Sequence, residues 1–196
     1  LRDVTKAAMV LDNPVDPRWM EISDNLVFTY DADGVTMEYT GYEGQLIKQT
    51  DVNMLAYPLG VVTDPEQTLR DINYYFDRID PNGPAMSNAI IAVLHARLGD
   101  PETAFKVFKK SYTDKLRPPF GVLSENANNS RVSFATGLGG ILQSVIFGFA
   151  GVEITEDGII QLPTRLPSHW KSLTVTGVGV DKQTFRVENP DYKTTK

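Results

Sequence analysis

One carboxylate, Glu125, stands in the stretch Pro118 to Gly140, PPFGVLSENANNSRVSFATGLGG, most of which has no regular periodicity. Long loops in compact domains are either functional or disordered, and the Pro118-Pro119 start without a low-complexity run favours an ordered one. A carboxylate on an ordered loop is well placed to meet a substrate. By residue type alone, a solvated turn formed by Glu125 and the asparagines after it is the stronger reading. A second candidate pair, Lys48 and Gln49, lies in the aperiodic segment Gln45 to Asp51. It is either plain surface or an ammonium and amide pair that grips hydroxyl groups. No metal site is expected, because His95 and His169 are far apart and not in ligand spacing. His95, on an apolar helix, reads as a hydrogen-bonded core histidine. No phosphate-loop, dinucleotide or nucleophile-elbow pattern occurs, and no cofactor is implied.

The elements that must carry these residues alternate in kind. Val4, Ala7, Ala8 and Leu11 share one helical face. Asp16-Pro17 reads as the start of a second helix, with Trp19 in its packing. Val27 to Tyr30 and Val35 to Tyr39 frame Asp31-Ala-Asp-Gly34 as a hairpin. Asp64-Pro65 then opens a helix with a single apolar stripe of Leu69, Ile72, Phe76 and Ile79. Ala85 to Leu98 is apolar on most sides. Asp100-Pro101 opens another one-striped helix with Ala104, Phe105, Phe108, Tyr112 and Leu116. Ser133 to Ala150 is apolar on every face, and Gly137, Gly139 and Gly140 imply close backbone contact inside a bundle. Amphipathic, buried, amphipathic, buried is the order an α/α barrel requires. On that reading Lys48 to Val52, Asp80 to Ser87 and Arg117 to Thr136 open at one mouth, where a binding site is expected. After Gly151 short β-prone runs, punctuated by Asp157-Gly158, Pro163, Pro167 and Asp181, read as a small antiparallel β module. His169 and Trp170 read as packing and surface residues. The expected organisation is a mainly α part over 1–151 and a β part over 152–196.

Composition sets the outer bounds. The chain has 196 residues, 41% apolar and 22% charged, enough for a sizeable core in one domain with a small appendage. A net charge of −6 offers no basic stripe to neutralise phosphates, so a nucleic-acid partner is not expected. The absence of cysteine excludes disulfides, thiolate catalysis and Cys-type zinc sites, and leaves the compartment open. The longest apolar run, Gly137 to Val152, is interrupted by Gln143 and Ser144, so no membrane span is expected. LRDVTKAAMVL reads as a helix already under way without a signal peptide, so the chain is expected to be part of a longer one.

Four motifs in one order resemble glycoside hydrolase family 65: GYEG followed by IKQTDV (Gly41 to Val52), NGPAMS (Asn82 to Ser87), PF-x-V-x-x-EN (Pro119 to Asn126) and F-x-TG-x-GG-x-LQ (Phe134 to Gln143). LPTRLPSHWKSL after a TEDG turn also looks like the start of that family's C-terminal β domain. The likeness leans to the hydrolase branch, the acid trehalases and glucosylgalactosyl-hydroxylysine glucosidases. It implies the C-terminal part of an (α/α) six-hairpin barrel and inverting cleavage of an α-glucosidic bond in trehalose, kojibiose or a related glucoside. It matches Glu125 to the family's general base, and Lys48 and Gln49 to residues holding the transferred glucose. The family's general acid lies in a motif upstream of Leu1, and Glu21, Glu38 and Glu43 do not match it. The resemblance therefore implies that this chain alone is inactive and needs the upstream portion of the same enzyme.

Two other readings stay open at this point. A family phosphorylase would place phosphate at the start of the last inner helix, near Ser133, Thr136 and Gly137. A carboxylate at Glu125 would repel that phosphate, and the histidine and paired serines such enzymes carry there are missing. A non-catalytic carbohydrate-binding module could use Tyr42, Tyr57 and Phe120.

Overall fold

The computed structural model describes residues 1–128 and 133–192. Residues 129–132 of the Glu125 loop and the last four residues of the expected β module lie outside the described residues. The chain divides into two units, Leu1–Gly41 and Tyr42–Lys196.

The first unit carries α1 (Arg2–Val10) and α2 (Arg18–Asp24). The Asp16 carboxylate accepts from Arg18 N–H at 2.9 Å, but α2 begins one residue later than expected, with Pro17 rather than Asp16 in the cap position. The expected apolar face of α1 is not its buried face. Thr5 and Ala8 are buried, whereas Val4 and Leu11 are exposed. A unit this small has too little chain to cover a full stripe. The expected hairpin at 27–39 reduces to one bridge, Tyr30 to Thr36. The Asp31 carboxylate accepts from both Asp33 N–H and Val35 N–H, which closes a tight turn without extending a ladder.

The second unit begins at Tyr42, passes through a short 3₁₀ turn, Val52–Leu55, and then builds on four helices. They are α3 (Pro65–Phe76), α4 (Met86–Arg97), α5 (Pro101–Lys110) and α6 (Ala135–Gln143). Asp64 and Asp100 cap α3 and α5 through their carboxylates, with proline next in each case. α4 is the buried helix. Ala89, Ile91, Ala92 and Val93 have no exposed surface, and α5 and α6 pack against it. Both stripes of the amphipathic helices are shorter than expected, because Leu69 and Leu116 are exposed.

The last helix differs from its expected form in two ways. It is not covered all round, since Leu138 and Leu142 are exposed. It also changes pitch, with a π-helical turn over Ser144–Phe149. Its glycines do meet neighbouring chain, as expected. A Cβ at Gly140 would lie 2.9 Å from Ala89 Cβ, and one at Gly148 would lie 3.2 Å from Val93 Cα. Both contacts draw this segment onto α4.

β1 (Leu116–Arg117) and β2 (Val122–Leu123) form a two-residue ladder inside the stretch read as aperiodic. Two separate antiparallel hairpins follow Gly151, rather than one sheet: β3 (Val152–Thr155) with β4 (Gly158–Gln161), and β5 (Ser172–Val178) with β6 (Gln183–Glu188). Val152 and Phe185 pack with Ala150 and Phe147 at the end of the π turn, so both hairpins rest on the helices. Trp170 seals the junction, 5.0 Å from the Phe149 ring and 5.6 Å from the Phe105 ring. His169 lies exposed beside Phe105.

Candidate active site

The segment bearing Lys48 and Gln49 is pinned to the end of α3. Gly44 takes a φ of +86°, and a side chain there would press on Tyr74 and Arg78. Tyr42 is buried against Tyr75, with ring centroids 5.9 Å apart. Ile47 then pairs in parallel with Ile79. Its N–H donates to Arg78 O at 2.8 Å, and its carbonyl accepts from Asp80 N–H at 2.8 Å. The chain leaves this bridge so close to Gly83 that a Cβ there would lie 2.6 Å from Lys48 O. Lys48 is exposed. Gln49 is half-buried and its amide donates to Asp51 at 3.3 Å.

Glu125 is held from three sides. The β1–β2 ladder delivers Ser124, which is fully buried and donates through its backbone to Lys115 O at 2.9 Å. Arg117 reaches across to the carbonyls of Asn126 and Ala127 at 2.9 and 2.6 Å. Glu125 O itself accepts from Ala85 N–H at 3.0 Å, at the cap of α4. Asn128 also bonds Asn82. Lys48 and Glu125 thus flank one segment, Lys48 meeting it at Gly83 and Glu125 at Ala85. The three expected mouth connections do converge.

Beside that segment opens a cavity of about 350 Å³, within the range typical of small-molecule sites. Gln49, Thr50, Asp51, Ser87, Thr136 and Gln143 supply its polar lining, with Met54, Met86 and Ile90 among the apolar residues. Gln49 lines it, but Lys48 and Glu125 do not. A larger cleft of about 680 Å³ runs between Asp80–Pro84 and the end of α5, and none of the three candidate residues lines it. Its charges of both signs, from Asp77, Asp80, Lys109 and Lys110, give no single ligand chemistry. The smaller cavity is therefore the better site. Sequence reasoning did not single out Ser87 or Gln143 as functional. The signal for Gln143 was visible as a lone amide interrupting an apolar run.

Burial shifts two groups nearby. The Tyr57 phenol is pushed up to about 12, first by burial, with Arg97 opposing and Glu153 adding to it. It therefore stays a donor across working pH. Burial also lowers His95, against the pull of Asp100. The unfolded imidazole titrates near its ordinary value of about 6.5. As pH falls through that value the unfolded chain binds a proton that the folded chain resists, so stability falls toward acid. Melting temperatures recorded from about pH 7.5 down to 5 should decline in the native chain. The decline should be shallower in His95→Leu. Among the described residues, no group of three or more histidines and carboxylates could hold a metal ion, and no helix is long and apolar enough to cross a membrane.

Comparison with known proteins places the chain in a family. Residues 13–120 match the family model "Glycosyl hydrolase family 65 central catalytic domain". The chain belongs to this family. The matched residues include Lys48 and Gln49 and end before Glu125. The chain is 46% identical over 183 residues to a kojibiose hydrolase from Mucilaginibacter mallensis, covering 93% of this chain and 27% of that protein. It is 35% identical to a protein-glucosylgalactosylhydroxylysine glucosidase from Danio rerio, over 89% of this chain and 27% of that protein. Among solved structures, one described as "Putative kojibiose phosphorylase from human microbiome" shares the fold, with a TM-score of 0.65 at 17% identity. That match covers 86% of this chain and 27% of the solved one. The chain thus spans about 27% of the length of the relatives it matches.

Proposed function

We propose that this chain supplies the general base and part of the glucose pocket of an inverting hydrolase that cleaves an α-glucosidic bond. Kojibiose is the favoured substrate, with trehalose and other α-glucosides as further members of the class. The observation that carries the proposal is the placement of Lys48 and Glu125 against one segment, Gly83 to Ala85, beside a cavity that Gln49 lines. Glu125 takes a proton from a water as that water attacks the anomeric carbon. Lys48 and Gln49 hold hydroxyls of the glucose. A carboxylic acid supplied by residues outside this chain protonates the leaving oxygen from the other face of the ring, at the separation of about 6.5–9.5 Å that leaves room for the water. The helical pairs complete an (α/α) barrel with the rest of the polypeptide.

Two features weigh against the phosphorylase reading. A carboxylate at Glu125 would repel the phosphate that this reaction must bind, and the phosphorylase likeness at 17% identity speaks for the fold alone. The test is proton NMR of kojibiose turnover by the full-length protein that carries this chain. The reducing-end glucose leaves as a mixture of anomers, so inversion should show early in the reaction as β-glucose in excess of that mixture, at a rate indifferent to phosphate, and the 196-residue chain alone should produce none. Phosphate-dependent release of glucose 1-phosphate, or an early excess of α-glucose over that mixture, would overturn the reading.

A further inference from the structure

Two polar groups of the cavity have no part in the roles assigned to Glu125, Lys48 and Gln49. Ser87, in the first turn of α4, is 1% exposed and lines the cavity. Its hydroxyl has no hydrogen-bond partner among the described residues. A buried hydroxyl left unpaired costs stability, so its retention in a cavity wall calls for a partner from outside. Gln143 closes α6 on the same cavity, and it is not left to rotate freely. The Tyr57 hydroxyl donates to its Oε1 at 2.9 Å. With that oxygen occupied, the amide offers its N–H donors.

The amide is set from behind by a chain of contacts. Arg97 lies 4.6 Å over the Tyr57 ring, donates through Nε to Phe147 O at 3.2 Å, and pairs with Glu153 on β3. Phe147 belongs to the π turn that begins directly after Gln143. π turns inside helices recur at functional sites, where an extra residue re-aims side chains. Ser144 locks the start of this one, its hydroxyl 3.0 Å from both Ala89 O and Gly140 O. Ser87 and Gln143 therefore stand on two packed helices, α4 and α6, one as a buried hydroxyl and the other as an oriented amide.

We propose that Ser87 and Gln143 form a second hydroxyl-recognition pair for the sugar in this cavity, with Tyr57 as the positioning residue for Gln143. The proposal rests on the α-glucosidase reading of the site. A carbohydrate is the ligand class that fits, because it brings hydroxyls able to accept from an amide and to pair with a serine in one compact ring.

The test uses the full-length protein with Ser87→Ala, Gln143→Met and Tyr57→Phe. Ser87→Ala should move two observables in opposite senses. Removing an unpaired hydroxyl should raise the melting temperature, while KM for kojibiose rises about ten-fold. Gln143→Met should raise KM by a similar factor. Tyr57→Phe, which keeps the ring beneath Arg97, should raise KM less. A series of glucosides deoxygenated at one position each supplies a readout that a packing role would not move. The native enzyme should penalise loss of one particular hydroxyl, and Gln143→Met should erase that penalty while leaving the others. If kojibiose turnover and its dependence on Glu125 are intact but KM and the deoxy-sugar pattern are unchanged in Ser87→Ala and Gln143→Met, this proposal is wrong and the glucosidase reading stands. If the native protein turns over no α-glucoside, the underlying reading has failed first.

Discussion

Glu125→Gln in the full-length protein should lower kcat for α-glucoside hydrolysis by about 10²–10⁴-fold, with substrate binding retained. The substitution keeps shape and removes the negative charge and with it the capacity to accept a proton. The backbone contacts that fix the loop do not involve the side chain of residue 125: Glu125 O to Ala85, Ser124 to Lys115, and Arg117 to Asn126 and Ala127. Folding should therefore survive, and circular dichroism and melting should match the native protein. An unchanged rate would mean that Glu125 is not the base and would favour a non-catalytic, carbohydrate-binding role for this chain.

Gly83→Ala should be the most damaging single methyl near the site. The added Cβ would lie 2.6 Å from Lys48 O and 2.7 Å from Asp80 O. Both are backbone atoms, so neither can rotate away, and the segments must part. A loss of about 1–3 kcal/mol of stability is expected from overpacking of this kind. Because the displaced neighbour is the Lys48–Gln49 segment, KM should rise as well. Gly139→Ala is the internal control, since nothing lies within 4 Å of a Cβ there. It should stabilise α6 by roughly 0.5–1 kcal/mol through helix propensity alone. Denaturant unfolding of the two variants checks the pair, and equal effects would contradict the close approach at Gly83.

The parts of this structure that were legible in the sequence are those where one local signal dominates. Asp64-Pro65 and Asp100-Pro101 marked two helix starts because cap and first position are both specified by residue type. The run from Ala85, apolar on most sides, marked α4 as a buried helix, and its burial follows. The meeting of the loops was expected from the alternation of helix types, whereas Lys48, Gln49 and Glu125 are candidates that came from motifs and whose roles rest on the proposed function. What escaped depended on long-range contacts. The β1–β2 ladder is two residues long, too short to show a period. The hairpin at 27–39 carried β-prone residues, but Asp31 turned the chain into a single bridge. The π turn has no propensity signature and follows from how closely Gly148 meets α4. Ser87 has no neighbour in sequence that hints at its unpaired hydroxyl, because only packing leaves it so.

The whole account turns on Glu125 acting as a base, and azide rescue probes that most directly. In Glu125→Ala of the full-length protein, water can no longer be deprotonated at the anomeric carbon, whereas azide is a nucleophile that needs no base. Kojibiose hydrolysis should collapse, and added azide should restore turnover with β-glucosyl azide as product. Hydrolysis at the native rate in Glu125→Ala would contradict the account, and so would a collapsed rate that azide leaves unrescued.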